Sequence, residues 1–275
     1  IKGVHYRDAH GAVQSVRATL TIGADGRNSI TRKLADIETT QLTRQPDDII
    51  WMRMPIDDTL DPAEDLVTRQ DEYNSMFMFR RPYERDWQIG ITIIKGNYKE
   101  MRAAGIQQFR ERLSSLMPEF NERLAHVEWE DTAYLPVNLK RANQWYREGL
   151  LLIGDSAHIM SPVGGVGINL AIRDAVVAAN ILVEPIQHGS VTTEQLAQIQ
   201  HKVEWDIKLT QNFQAAIQNA SKRAAKKNSI GTTIGRKMAG WFTKIPLVKM
   251  LPVRLLAYGL VNVEVNPKLL QSSAS

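Results

Sequence analysis

Two aspartates stand where a protein of alternating strands and helices would hold a ligand. Asp155 follows a short unbroken apolar run, residues 150–153, and Asp25 follows a second strand-like run, residues 18–24. Open α/β sheets bind ligands at the carboxyl ends of their strands, so both carboxylates are candidates for contact with a ligand. A loop and a segment with helical periodicity come after each aspartate, and these are the elements that must position it.

The loop after Asp155 is rich in glycine and leads into a helix. Apolar residues recur every three or four positions from Leu170 to Leu182, which predicts a helix whose free N–H groups and dipole favour a negatively charged ligand. The third glycine of a nucleotide-phosphate fingerprint is absent, because Leu170 takes its place. These residues alone leave open an ordinary strand, loop and helix without a ligand. The small residues that would let a ligand approach the backbone are Pro162, Gly164, Gly165 and Gly167.

This stretch, residues 149–182, resembles the second FAD-binding motif of the p-hydroxybenzoate-hydroxylase-like FAD-dependent monooxygenases and reads GLLLIGDSAHIMSPVGGVGINLAIRDAVVAANIL. The resemblance implies that Asp155 bonds the ribityl chain of FAD and that Pro162 lies near the reactive C4a edge of the ring. It also implies that the helix N-terminus faces flavin N1 and O2, where reduced flavin carries its negative charge. The residues that would lie beside the ring or present that N-terminus are Gly164, Gly165, Gly167, Ile168 and Asn169.

A second stretch, residues 19–34, resembles the Asp-Gly motif of the same family and reads TLTIGADGRNSITRKL. In the family this motif contacts FAD and is implicated in the interaction with NAD(P)H. The resemblance therefore implies that Asp25 and Gly26 lie close to FAD. Three further residues are candidates for ligand contact or for bracing the loop: Arg27, Ser29 and Arg32.

The resemblance predicts an α/β protein with α+β character in its substrate-binding part. We expect a Rossmann-like, three-layer FAD-binding domain with an inserted antiparallel β-sheet and a C-terminal helical segment. The family's upstream pyrophosphate motif, Gly-x-Gly-x-x-Gly, does not occur in the sequence, so we expect a fragment of a longer flavoprotein. The predicted parts are residues 1–38 and 133–188 for FAD binding, residues 39–132 for the substrate sheet, and residues 189–275 for the helical region.

The expected substrate sheet consists of short strands joined by polar turns. Along residues 87–94, apolar side chains alternate with polar ones or glycine, as in a strand with one buried face. Aromatic and methionine side chains on such strands could line a pocket for an apolar or aromatic substrate, while core packing should claim about half of them. The sequence does not say which half. The pocket candidates are Met52, Met54, Met76, Met78 and Thr92, together with Trp51, Phe77 and Phe79.

The composition is that of a globular protein, with 43% hydrophobic and 23% charged residues among 275. The sequence contains no cysteine, which excludes disulfides, thiol-ligated iron–sulfur clusters and a thiol-linked flavin, so the FAD would be non-covalent. No apolar run is long enough to span a bilayer, and the net charge of +4 comes without a nucleic-acid-binding motif. We therefore expect a cytoplasmic protein with no nucleic-acid partner.

Three features outside the two motifs have less specific interpretations. His158 has no second metal-type residue at a suitable spacing, so we expect it to form structural hydrogen bonds, and we expect no metal site. Thr192 and Gln195 fit a capping box at the start of a long amphipathic helix. Residues 240–263 mix apolar and basic side chains, which suits peripheral contact with an anionic membrane, a cap on the domain or a homodimer interface.

The resemblance implies an FAD-dependent monooxygenase that uses NAD(P)H and O2 to hydroxylate or epoxidise a small apolar or aromatic molecule. In this chemistry the oxygen comes from a flavin C4a-hydroperoxide, which would form near Pro162. The sequence identifies no catalytic acid or base. A flavin reductase or halogenase on the same scaffold is an alternative, although residues 129–131 lack the Trp-x-Trp-x-Ile-Pro signature of halogenases. A truncated, non-catalytic flavoprotein fragment is the alternative from another class.

Overall fold

The chain forms two compact units. The first combines residues 1–43 with residues 138–275, and the second is residues 44–137. Helices alternate with parallel and antiparallel strands, and the fold is α/β, as predicted. The computed structural model describes residues 1–43, 47–58, 61, 64–70, 75–162, 165–225 and 263–271.

The described residues form the following elements in chain order. The strands are β1 (Gly3–Arg7), β2 (Val13–Arg17), β3 (Thr21–Gly23), β4 (Thr39–Thr43), β5 (Asp47–Pro55), β6 (Leu66–Gln70), β7 (Ser75–Arg81), β8 (Asp86–Ile94), β9 (Thr132–Leu135), β10 (Leu139–Ala142), β11 (Tyr146–Arg147), β12 (Leu150–Leu152) and β13 (His158–Ile159). The helices are α1 (Ile30–Leu34), α2 (Tyr98–Ala104), α3 (Ile106–Leu116), α4 (Asn121–Leu124), α5 (Gly167–Gln187), α6 (Thr193–Ala225) and α7 (Pro267–Gln271). Short 3₁₀ turns lie at Pro118–Phe120, Trp129–Asp131 and Gly154–Ser156.

In the first unit, the strands that lead to Asp25 and Asp155 lie side by side. β3 pairs with β12 in parallel, with Gly23 opposite Leu152, and β11 pairs with the other edge of β12. Every residue of β12 is buried, as expected for an apolar strand covered on both faces. A Cβ on Gly23 would lie 2.7 Å from the Leu152 side chain and 3.0 Å from that of Thr31, so a larger residue there would force these neighbours to shift. Because the strands are parallel, their carboxyl ends and the following loops meet at one edge of the sheet.

Two antiparallel sheets complete the strands of the first unit. β1 and β2 form the hairpin that the sequence predicts, with Val4 opposite Val16. β10 pairs with both β4 and β13. β4 therefore belongs to the first unit, and the predicted boundary at residue 39, which assigned it to the substrate sheet, is corrected to residue 44.

Helices α5 and α6 pack against each other and share the core of the first unit with β12. Leu170 and Leu182 of α5 and Leu196 of α6 are buried in this core, as their helical spacing predicts. The predicted capping box is formed at the start of α6. The Gln195 side chain accepts from the Thr192 N–H at 2.8 Å, and the Thr192 hydroxyl accepts from the Gln195 N–H at 3.3 Å.

The second unit contains an antiparallel sheet whose described strands lie in the order β6-β7-β8-β5-β9. Trp87, Ile89 and Ile91 of β8 are fully buried in a core shared with α3, as their alternation predicts. β9 pairs with β5, from Ile49 opposite Leu135 to Met52 opposite Thr132. The boundary predicted at residue 133, which placed most of β9 with the FAD-binding part, is therefore corrected to residue 138.

The four methionines proposed for a substrate pocket fill the core of the second unit instead. They are between 0% and 3% exposed and pack in the same cluster as Phe109 and Leu113 of α3. Alternation along β5 and β7 puts all of them on the face that the helices cover. Thr92 lies on the opposite face, because it pairs with Ile49, which alternates with Ile50 and Met52 along β5 and shares its face with Trp51. The four core residues are Met52, Met54, Met76 and Met78.

Part of the predicted C-terminal helical region lies outside the described residues. That part includes residues 240–262, so the membrane, cap and dimer interpretations of this segment stay predictions. Within the described ranges, no helix combines the length and the apolar character that crossing a bilayer requires.

Candidate functional site

The Asp25 loop is shaped by hydrogen bonds to the Asp25 carboxylate. One oxygen accepts from the Ser29 hydroxyl at 2.5 Å and the other from the Thr31 N–H at 2.9 Å. Burial alone would raise the pKa of Asp25, but these bonds outweigh it and hold the pKa below its usual value. The Ser29 hydroxyl also caps α1 by accepting from the Arg32 N–H at 2.9 Å. Asp25 is therefore an ionised group that orders its own loop.

Arg32 joins the Asp25 loop to the turn that carries Asp155. The residue is 7% exposed, and its guanidinium donates to the Ser156 carbonyl at 2.6 Å and to the Arg27 carbonyl at 3.1 Å. The Ser156 hydroxyl in turn lies 2.5 Å from the carbonyl of Gly23, at the end of β3. The sequence suggests ligand contact or bracing of the loop for Arg32, and these contacts show that it braces the loop. The two loops are thereby fixed against each other.

The Asp155 carboxylate lies between the Asp25 loop and the start of α5. Its Oδ2 atom is 3.2 Å from Nη2 of Arg27. Its Oδ1 atom is 3.9 Å from the position that a Cβ on Gly167 would take. The side chains of Arg27 and Asp155 are 26% and 30% exposed, so both are accessible to a ligand.

A buried carboxylate on α5, Asp174, holds the turn in front of Asp155. Gly154 adopts a φ of +59°, and its N–H donates to Asp174 Oδ2 at 2.8 Å. Nε2 of His158 lies 2.6 Å from the same oxygen, and both side chains are fully buried. His158 therefore has the structural hydrogen-bonding role that we expected. Asp174 is not predicted from the sequence, because the one feature that marks it is a carboxylate within the apolar periodicity of α5.

The N-terminus of α5 has no side-chain cap. Val166 occupies the N-cap position and its side chain supplies no hydrogen bond, while a helix leaves its first N–H groups without intrahelical acceptors. Ile168 is 73% exposed, Asn169 is exposed, and Pro162 is partly buried. Gly164 lies outside the described residues. The structure thus brings Asp155 to an accessible helix N-terminus of the kind that favours anions.

The second unit, taken by itself, presents an aromatic face opposite its packed methionines. The Trp51 and Phe77 rings meet edge to face with centroids 5.3 Å apart, and Phe77 meets Phe79 at 5.6 Å. Gly90 makes room for this arrangement, because a Cβ there would lie 2.4 Å from the Phe77 ring. Thr92 is on the same face, and its hydroxyl donates to the Ser75 carbonyl at 2.9 Å. This face offers flat apolar contacts with a hydroxyl group beside them.

A family comparison covers both loops and the helices behind them. Residues 1–225 match the family described as FAD binding domain. The chain belongs to the FAD binding domain family. The fold is similar to the crystal structure of PqsL of P. aeruginosa in complex with 2-aminobenzoylacetate, with a TM-score of 0.60 and 20% sequence identity. The similarity covers 79% of this chain and 62% of the PqsL chain. At this identity the likeness shows the fold alone.

Two curated relatives of this FAD binding domain chain are named as oxygenating enzymes. The 6-methylpretetramide 4-monooxygenase of Streptomyces rimosus is 33% identical over 179 residues, which cover 64% of this chain and 42% of that protein. The 3-demethoxyubiquinol 3-hydroxylase of Escherichia coli is 25% identical over 187 residues, which cover 63% of this chain and 43% of that protein. The matches therefore span less than half the length of either relative.

Proposed function

We propose that the protein is an FAD-dependent monooxygenase that uses NAD(P)H and O2 to hydroxylate a small apolar or aromatic molecule. The observation that carries the proposal is the Asp155 carboxylate, which lies beside the uncapped N-terminus of α5 in an FAD binding domain chain. The two curated relatives support oxygen transfer, because both are named for adding oxygen to an organic molecule.

Three glycines leave room for FAD at this edge of the first unit. Gly26 and Gly165 have φ values of +74° and +65°, and among the residues that the structure describes no atom beyond their chain neighbours lies within 4 Å of where their Cβ atoms would be. A Cβ on Gly167 would make only ordinary contacts, 3.7 Å from Met160 and 3.9 Å from Asp155. A flat ring could therefore approach the backbone at these three glycines without meeting a side chain of their own. The residues present fit the cofactor.

The polar contacts to FAD would come from the two aspartate loops. Asp155 would accept hydrogen bonds from the ribityl hydroxyl groups, since its carboxylate is part exposed and held in place by Arg27. Asp25 and Gly26 would lie beside the cofactor, with Asp25 keeping the loop in shape through Ser29. FAD, when bound, supplies electron transfer from NAD(P)H and the activation of O2.

The contacts to the flavin ring would come from the glycine-rich loop and the start of α5. The first N–H groups of the helix and the positive end of its dipole would favour negative charge on the ring and draw its polar edge toward the helix. The loop would exclude water from the edge of the ring that Pro162 lines. The proposed ring contacts are Pro162, Gly164, Gly165, Gly167, Ile168 and Asn169.

We further propose that the aromatic face of the second unit contacts the substrate. Trp51 and Phe77 are only partly buried, so their rings can still pack on an apolar or aromatic molecule. Thr92, another of the pocket candidates, lies on the same face. The contact would orient the substrate, and the named substrates of the two curated relatives, a pretetramide and a ubiquinol derivative, are compatible with a ring-containing molecule.

Replacing Gly167 by Ala is expected to change the free energy of unfolding by less than about 1 kcal/mol, because the new Cβ makes only ordinary contacts and Ala favours a helix. The same Cβ would stand where the ring approaches the helix N-terminus. We therefore expect the yield of hydroxylated product per NAD(P)H oxidised to fall severalfold, with more H2O2 released. Product, NAD(P)H and H2O2 are measured in one aerobic reaction with FAD and an aromatic substrate, beside a melting curve.

Gly165→Ala is the matched comparison, because a side chain at φ +65° costs roughly 1–2 kcal/mol whatever space surrounds it. Gly167→Ala could instead lose as much stability as Gly165→Ala, while its folded fraction gives the same yield of product per NAD(P)H as the parent. That result would mean that Gly167 serves only backbone geometry. If the parent protein with FAD oxidises no NAD(P)H, the proposed function is itself wrong.

A further inference from the structure

One ion pair connects the two loops at the candidate flavin site. Arg27 Nη2 lies 3.2 Å from Asp155 Oδ2, across 128 residues of sequence. The pair is part exposed, so neither charge is committed to the core of the unit. Its partners are the aspartate proposed to hold the ribityl chain and an arginine from the neighbouring loop.

The backbone around this pair is fixed before any ligand arrives. Arg32 donates to the carbonyl of Arg27 itself and to the carbonyl of Ser156, the residue after Asp155. A single buried guanidinium therefore sets the distance between the two loops at the place where the ion pair forms. Because the backbone is already ordered on both sides, the contact between Arg27 and Asp155 is preorganised.

The two oxygens of Asp155 face different surroundings. Oδ2 is held by Arg27, whereas Oδ1 lies close to Gly167 at the start of α5. A carboxylate beside a helix N-terminus is attracted to the first N–H groups and to the positive end of the dipole, and it could turn to cap the helix. Arg27 pulls on the opposite oxygen and so resists that rotation.

We propose that Arg27 is a positioning residue of the flavin site: it holds Asp155 Oδ2 so that Oδ1 is presented to the ribityl hydroxyl groups and does not cap α5. This inference rests on the proposed function, because it assigns a role toward FAD. This role differs from a general stabilising role, since a part-exposed ion pair contributes little to folding. The effect of Arg27 on FAD passes through Asp155.

The test is a flavin fluorescence titration of the parent chain and of Arg27→Met, Arg27→Lys and Asp155→Asn, with the visible circular dichroism of bound FAD as a second readout. We expect Arg27→Met to raise the Kd for FAD roughly fivefold and to change the visible spectrum, with a melting temperature close to that of the parent. Arg27→Lys keeps the charge and should recover most of the affinity. Arg17→Met, at an exposed position of β2, is the matched control and should leave the Kd unchanged.

A double-mutant cycle separates positioning from direct contact. In the Asp155→Asn background, Arg27→Met should weaken FAD binding by much less than fivefold, because the partner through which it acts has changed. The inference is overturned if Arg27→Met weakens FAD binding as much in the Asp155→Asn background as in the parent. It is also overturned if Arg27→Met alone binds FAD more tightly than the parent or with the same Kd. An Arg27→Met variant that binds FAD as tightly as the parent rejects only this inference, whereas a full-length protein that binds no FAD rejects the proposed function as well.

Discussion

Replacing Asp174 by Ala is expected to lower the free energy of unfolding of the first unit by about 3 kcal/mol. The fully buried carboxylate accepts from the Gly154 N–H at 2.8 Å and pairs with His158 at 2.6 Å. The variant leaves both partners buried without an acceptor, and it releases the turn that positions Asp155. Urea unfolding followed by circular dichroism measures the loss, and FAD affinity should fall with it.

Glu184→Ala is the control for this experiment, because Glu184 is an exposed carboxylate on the same helix. Its stability should stay within about 0.5 kcal/mol of the parent, as for most surface substitutions. If Asp174→Ala loses less than about 1 kcal/mol, the buried contacts to Gly154 and His158 do not hold the turn in the way that the structure indicates.

Replacing Asp48 by Asn is expected to destabilise the second unit by about 3 kcal/mol at pH 7. The Asp48 residue is 1% exposed, and each carboxylate oxygen receives two donors. Oδ1 accepts from Lys95 and Val137 N–H at 2.8 and 2.9 Å, and Oδ2 accepts from Tyr134 and Gly96 N–H at 2.7 and 3.2 Å. An amide NH2 in either orientation would face two donors, so the variant cannot satisfy the site.

The same carboxylate makes a pH-dependent contribution with a defined sign. Burial alone would raise the pKa of Asp48, but the bonds from Lys95 and Tyr134 outweigh it and hold the pKa below the ordinary value of 3.8. Burial and the bond to Asp48 also raise the pKa of Tyr134 to about 12. Because the folded-state pKa of Asp48 is lowered, its stabilisation is present above about pH 4 and is lost as the pH falls through the folded value.

Unfolding titrations at pH 7 and pH 3 test this prediction. The difference in stability between the parent and Asp48→Asn should be smaller at pH 3 than at pH 7. Asp58→Asn removes a carboxylate that is 58% exposed and should cost less than about 1 kcal/mol at either pH. An equal difference at both pH values would mean that the Asp48 carboxylate is not the group that titrates.

The strands and loops of the site follow from local patterns in the sequence. The apolar run at residues 150–153 predicts the buried strand β12, and the spacing from Leu170 predicts α5, because burial and helical periodicity act over a few residues. Alternation likewise shows which side chains of β5 and β7 share a face. It does not show which face the helices cover, and the four methionines proposed for the pocket lie on the covered face, in the core.

The contacts that organise the site could not be predicted, because they join residues that are distant in sequence. Arg27 meets Asp155 across 128 residues, and Asp174 meets the Gly154 N–H across 20. No periodicity connects such pairs, and only the parallel pairing of β3 with β12 and the packing of α5 bring them together. The roles of Asp25, Asp155 and the glycine-rich loop toward FAD stay predictions that the geometry supports.

A titration of the chain with FAD, comparing the parent with Asp155→Ala and the exposed control Glu184→Ala, tests the flavin site most directly. A charge-assisted hydrogen bond is worth about 1.5–3 kcal/mol, so Asp155→Ala should raise the Kd at least about tenfold, while Glu184→Ala should match the parent. The Asp155 side chain is 30% exposed and its ion pair with Arg27 is part exposed, so the melting temperature should change little. Equal FAD affinity for the parent and a folded Asp155→Ala variant would contradict the assignment of this carboxylate to the flavin.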